Sequence, residues 1–102
     1  MIRVKIERDS MGRVQGFEAT GHAGAGPRGK DIVCAAVSVL TDSVFLGLDR
    51  HLHREMEWSA DSGDISIRLI EAPDDLTEAI LATMVLGLTE IQKIYPDRLR
   101  IL

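Results

Sequence analysis

The stretch GHAGAGPRGKDIVC, residues 21–34, places a histidine and the chain's single cysteine twelve positions apart, with a glycine-rich segment between them. A cysteine thiolate can attack a carbonyl carbon, and an imidazole can accept the thiol proton and later donate it to a leaving amine. His22 and Cys34 are therefore candidates for a base and a nucleophile. Ser38 follows Cys34 by one helical turn, so we expect it on the same helix face, where it could support the site.

Asp31 stands immediately before an apolar stretch with helical spacing, which is the position of an N-cap. If Asp31 caps that helix, Cys34 lies in the first turn. Free backbone N–H groups and the helix dipole there favour the thiolate and could hold an oxyanion. Asp31 could instead, or also, orient the imidazole of His22. The sequence leaves both roles open.

A lone cysteine near a helix start is also compatible with a structural role. Such a residue is most often a small buried apolar side chain, and a glycine-rich loop is most often only a connection. On that interpretation Cys34 packs, and the chain is a binding module without catalytic activity. Spacing alone does not decide between the two interpretations.

Composition predicts one globular domain over residues 1–102, with 45% hydrophobic and 27% charged residues. The net charge of -4 argues against direct binding to nucleic acid. We expect no membrane partner, because no apolar run approaches the roughly 20 residues that cross a bilayer. The first ten residues do not resemble a signal peptide, and a lone cysteine forms neither an internal disulfide nor a cysteine-rich metal site. These features predict a cytoplasmic protein whose thiol stays reduced.

The hydrophobic pattern predicts the elements that would position these residues. Alternation over residues 2–7 and 13–20 predicts two strands joined by DSMG, and alternation over 54–60 and 64–70 predicts a second pair across DSG. An apolar helix is expected from residue 31 to about 52, either central to the fold or shared with another subunit. A second helix opens at APDD, with Pro73 near its first turn, and stops at Pro96, and the tail RLRIL fits a short last strand. The order ββαββα(β) predicts an α+β sandwich in which one sheet carries both helices.

The residues GHAG…GKDIVCAAVS, from Gly21 to Ser38, resemble the signature of the ribosomal-processing cysteine proteases, the Prp family. The likeness extends to the chain length and to the order of strands and helices. It implies that His22 and Cys34 form a catalytic dyad and that Asp31 and Ser38 occupy further motif positions.

The resemblance also implies a function. Members of this family are cysteine endopeptidases that use no cofactor and no metal, form homodimers, and remove an N-terminal extension from the precursor of large-subunit ribosomal protein twenty-seven during ribosome maturation. The alternative is a non-catalytic, dimeric, ribosome-associated module in which Cys34 is a packing residue. If the chain is a protease, Gly24, Gly26 and Gly29 would give the loop the freedom to act as a lid that is reshaped when the extension docks.

Overall fold

Over residues 1–27 and 30–102, which the computed structural model describes, the chain folds around one five-stranded sheet. The strands are β1 (Ile2–Arg8), β2 (Val14–Thr20), β3 (Met56–Asp61), β4 (Asp64–Leu69) and β5 (Leu99–Ile101). Their spatial order is β3-β4-β2-β1-β5, and β1 and β5 are parallel while the other neighbours are antiparallel. Both predicted hairpins and the short last strand are confirmed.

Strand register explains why one face of the sheet is buried and the other exposed. Ile6 lies opposite Phe17, and Phe17 lies opposite Ile67, so three apolar side chains align across three strands. The residues next to them along each strand, such as Lys5 on β1 and Glu18 on β2, are exposed on the opposite face. Because side chains alternate along a strand, this period of two directs the apolar set toward a single layer of helices.

That layer consists of α1 (Ile32–Leu46), extended by a π-helical turn over Gly47–His51, and α2 (Asp75–Ile94). Asp74 caps α2 and forms a reciprocal capping box with Thr77, so the helix begins at Asp75, and Pro73 lies directly before the cap, near the first turn. The residues that α2 buries lie at helical spacing: Thr77, Leu81, Met84 and Leu88. The three apolar residues among them, Leu81, Met84 and Leu88, join the apolar face of the sheet in one core, which confirms the predicted α+β sandwich.

The first helix carries apolar residues on its exposed side as well as on its buried side. Together with its π-helical turn it forms 20 residues, Ile32–His51, that are long and apolar enough to span a bilayer by length and composition alone. The expectation that no segment approaches that length is therefore wrong. One stripe of this helix packs in the core, while a second stripe stays exposed, including Ile32, Val39 and Leu46.

Candidate active site

Cys34 lies in the first turn of α1, because Asp31 fixes where that helix begins. Its side chain is half-buried. The backbone of Asp31 is extended, and its Oδ1 accepts hydrogen bonds from the N–H groups of Val33 and Cys34, both at 3.0 Å. This is the side-chain geometry of an N-cap. The capping role predicted for Asp31 is confirmed.

The second carboxylate oxygen of Asp31 holds the glycine-rich loop. Oδ2 accepts a hydrogen bond from the Ala25 N–H at 3.0 Å. The N–H of Cys34 is the largest cause that lowers the pKa of Asp31 below its ordinary value, and the Ala25 N–H, the Cys34 thiol and the Val33 N–H act in the same direction against desolvation. Both oxygens thus face backbone amides, and across the described part of the chain no hydrogen bond joins this carboxylate to His22. The structure shows Asp31 as a cap and a loop anchor, and a role in orienting the imidazole stays a prediction.

A loop amide contacts the sulfur directly. The N–H of Ala23 points to Cys34 Sγ at 3.2 Å. Three of the amides near the start of α1 already have hydrogen-bond partners, since those of Val33 and Cys34 bond Asp31 Oδ1 and that of Ala35 bonds the Asp31 carbonyl at 3.0 Å. That amides of the helix start hold an oxyanion stays a prediction. The donor next to the sulfur comes from the loop, and an oxyanion on a carbon bonded to Sγ would form close to it.

His22 is exposed and is positioned by the turn between β3 and β4. The N–H of Gly21, whose φ is +94°, donates to the carbonyl of Gly63 at 3.0 Å, which ties the end of β2 to that turn. The imidazole then lies against Gly63: a Cβ on this glycine would be 2.7 Å from both Cε1 and Nε2 of His22. No side chain fits between them. Sequence reasoning missed Gly63, because a glycine in a hairpin turn has a sufficient explanation in the turn itself.

The predicted pair meets at one cavity of about 320 Å³. His22, Cys34 and Ser38 line it together with the β3–β4 turn, so three of the predicted site residues are brought together. In the described residues no hydrogen bond joins the imidazole to Sγ. Catalytic hydrogen bonds are often long in a free enzyme and shorten when substrate binds, so this arrangement is compatible with a base and a nucleophile.

The loop between the two residues is anchored from a distant part of the chain. Arg98 Nη1 donates to the carbonyls of Ala23 at 3.3 Å and Gly24 at 2.5 Å. Gly24 has a φ of +67°, which favours glycine, and a Cβ on Gly26 would lie 3.0 Å from the Lys30 carbonyl.

Gly29, the third predicted hinge glycine, lies outside the described residues, and movement of the loop stays a prediction. Arg98 was missed at the sequence level, because nothing local marks an arginine 75 positions from the loop that it holds.

A thiol at the start of a helix, with an amide on its sulfur and an imidazole across a shared cavity, provides the parts that a cysteine protease needs. The family model described as cysteine protease Prp matches residues 1–100. The chain therefore belongs to the Prp family of cysteine proteases, as the signature from Gly21 to Ser38 predicted.

Curated and solved relatives agree with this assignment. The ribosomal processing cysteine protease Prp of Staphylococcus aureus strain Mu50 is 34% identical, with 99% of this chain and 97% of the relative covered. A crystal structure of the S. aureus protease with a covalently linked product peptide superposes with a TM-score of 0.92 at 29% identity, covering 99% of this chain and 97% of the other. A second, with a substrate peptide, gives a TM-score of 0.87 at 28% identity, covering 100% and 98%. The predicted fold, family and enzyme class are confirmed.

Proposed function

We propose that this protease removes the N-terminal extension from the precursor of large-subunit ribosomal protein twenty-seven, with Cys34 as nucleophile and His22 as general base and acid. The observation that carries the proposal is the meeting of these two side chains, twelve positions apart, at one cavity beside the Ala23 N–H. The S. aureus relatives are ribosomal processing proteases, and the peptides in their crystal structures support a peptide substrate here.

Acylation begins when His22 accepts the thiol proton and Cys34 Sγ attacks the scissile carbonyl carbon. The carbonyl oxygen gains the negative charge, and the Ala23 N–H, which contacts Sγ at 3.2 Å, is a candidate donor to it. The tetrahedral intermediate collapses as the C–N bond breaks. His22 returns its proton to the leaving amine, which is the new N-terminus of the ribosomal protein.

Deacylation uses the same groups in reverse order. The departing amine leaves a thioester between Cys34 and the extension. His22 takes a proton from a water molecule, the resulting hydroxide attacks the thioester carbonyl, and the sulfur leaves as the thiolate. The extension is released as a free carboxylate. Ser38 lines the cavity and supports the site without taking part in bond formation.

A peptide that spans the junction between extension and mature ribosomal protein tests this proposal. We expect the purified protein to cut it once, and the Cys34→Ala and Cys34→Ser variants to lose at least about a thousandfold in kcat/KM while keeping a cooperative thermal transition. Ser43→Ala is the matched control, because Ser43 is an exposed residue of the same helix. Cutting by Cys34→Ala at the wild-type rate would refute the proposal and favour the non-catalytic, ribosome-associated module.

Two further elements belong to the proposal. The protein acts as a homodimer, which is supported by the exposed apolar stripe on α1, where Ile32 and Val39 are each 64% exposed and Leu46 is 41% exposed. It works in the cytoplasm, where a lone thiol stays reduced and the ribosomal precursor is made.

A further inference from the structure

The strand β3 has an outer edge that no other described strand covers. Among residues 1–27 and 30–102 it pairs only with β4, since it is the outermost strand of the sheet. At one end of this hairpin the N–H of Ile70 donates to the carbonyl of Glu55 at 3.2 Å. At the other end Asp61 faces Asp64 across a two-residue turn. The residues on the β3 side of these two pairs, Glu55 and Asp61, are both odd-numbered. Since hydrogen-bonded pairs recur at every second residue, the odd-numbered residues of β3 exchange the ladder hydrogen bonds with β4.

The even-numbered residues of β3 therefore turn their backbone groups away from the sheet. In an antiparallel ladder, residues alternate between hydrogen-bonded pairs and pairs whose N–H and C=O groups point outward. Met56, Trp58 and Ala60 occupy the outward positions, opposite Leu69, Ile67 and Ile65. This edge presents a row of donors and acceptors that an extended peptide can pair with.

The edge leads to the nucleophile. Ala60, Asp61 and Ser62 line the same cavity as Cys34, so a chain paired with β3 continues into the candidate active site. The opposite wall is α1, where Ser38 and Asp42 follow Cys34 at helical spacing along the cavity. The strand edge and the helix therefore form the two sides of one groove.

Trp58 and Phe45 lie farther along the same strand and helix, beyond the residues that line the cavity. Phe45 lies eleven residues after Cys34 on α1, a rise of about 16 Å, which is the length of about five extended residues. Its ring centroid lies 4.9 Å from that of Trp58, with the planes at 60°. Trp58 is on the helix-facing side of β3 and is still 58% exposed, so the aromatic pair offers an apolar surface beside the edge.

We propose that the peptide substrate binds as an additional strand along the outer edge of β3, with an apolar substrate side chain packed on Trp58 and Phe45. This inference rests on the proposed protease function and names the surface that selects its substrate. Main-chain pairing with residues 56, 58 and 60 holds the peptide extended, and Trp58 is the specificity-determining side chain. Continuity of the edge with the Cys34 cavity favours substrate as the occupant over a second copy of this chain.

Backbone N-methylation of the junction peptide tests the pairing. One amide at a time is methylated, and kcat/KM is measured for each peptide. Amides that face β3 lose a hydrogen bond, and the methyl group also blocks the approach of the strand, so we expect losses of about three- to tenfold or more at alternating positions on one side of the cut bond. Equal losses at consecutive positions, or no losses, would overturn strand addition.

Substitutions at Trp58 test the apolar subsite. We expect Trp58→Ala to lower kcat/KM about ten- to a hundredfold, mainly through KM, and Trp58→Phe to restore part of it. Ser59→Ala is the control on the opposite face of the same strand. The alkylation rate of Cys34 by iodoacetamide should stay unchanged in all three variants, since that small reagent does not need the edge. Unchanged kcat/KM in Trp58→Ala would overturn the subsite.

The two proposals fail in different ways. If the unmodified peptide is not cut by the wild-type protein in a Cys34-dependent manner, the proposed function fails. If it is cut while methylation and Trp58→Ala have no effect, only the docking surface fails. A shift of the Trp58→Ala protein to half the native mass would instead assign β3 to contact between copies of the chain.

Discussion

The imidazole of His22 lies against Gly63, so closely that a Cβ on the glycine would be 2.7 Å from Cε1 and Nε2. Contacts that short do not occur between packed atoms, so a side chain at residue 63 must displace the imidazole. The turn of the second hairpin therefore positions the proposed base, although the turn is more than forty residues away in sequence.

Gly63→Ala should lower kcat/KM by about a hundredfold, the lower range of what general acid–base catalysis contributes. Gly12→Ala is the matched control: Gly12 has a φ of +82° and Gly63 a φ of +86°, but open space surrounds Gly12. Both variants carry the backbone strain of a left-handed alanine, about 1–2 kcal/mol. Equal kcat/KM values for the two would contradict a positioning role for Gly63.

Removing the Arg98 side chain should disorganise the loop that carries the amide at the sulfur. Arg98→Ala frees the carbonyls of Ala23 and Gly24, and a displaced Ala23 N–H no longer faces Sγ. We expect kcat/KM to fall about ten- to a hundredfold, as for other misplaced catalytic groups. Hydrogen exchange over residues 23–27 should rise in parallel. Arg100→Ala, at an exposed position on β5, is the control, and an equal effect there would argue against the anchor.

Acid should weaken the cap of α1. The pKa of Asp31 is lowered in the folded protein, chiefly by the Cys34 N–H, so the ionised carboxylate stabilises the fold at pH values above the unfolded pKa of 3.8. That contribution is lost as the pH falls through the lowered pKa. Asp31→Asn keeps a capping oxygen but does not titrate. The difference in Tm between wild type and this variant should therefore be largest near about pH 6 and shrink toward about pH 2. A constant difference would contradict the assignment.

The exposed stripe of α1 should hold the proposed dimer together. Val39→Asp places a charge at a residue that is 64% exposed in one chain, and burial of that charge in an interface is costly, so we expect the protein to dissociate to half its mass. Leu86→Asp on α2 is the control, since Leu86 is 68% exposed on the other helix. Sedimentation of both variants at the same concentration measures the outcome. If Leu86→Asp dissociates and Val39→Asp does not, the interface lies on α2 and not on α1.

Local patterns in the sequence were sufficient for the elements and for part of the site. Alternation predicted the hairpins, and an aspartate before an apolar run predicted both the start of α1 and the position of Cys34 within it. These features depend on residues within one or two turns of each other, so sequence order is enough. The same reasoning did not identify the Ala23 amide beside the sulfur, because that contact depends on how the loop folds back onto the helix.

By itself, then, the sequence determined the α+β order of elements, the cap at Asp31, and His22 and Cys34 as the candidate pair with Ser38 beside them. Tertiary structure decided what surrounds that pair. Gly63 packs against the imidazole, the Ala23 N–H donates to the sulfur, and Arg98 donates to two carbonyls of the loop. These contacts join residues of the loop after the first hairpin to the turn of the second hairpin and to Arg98, which directly precedes β5. Their distances follow from how the sheet orders β3, β4, β2 and β1 in space, which no local pattern of residue types encodes.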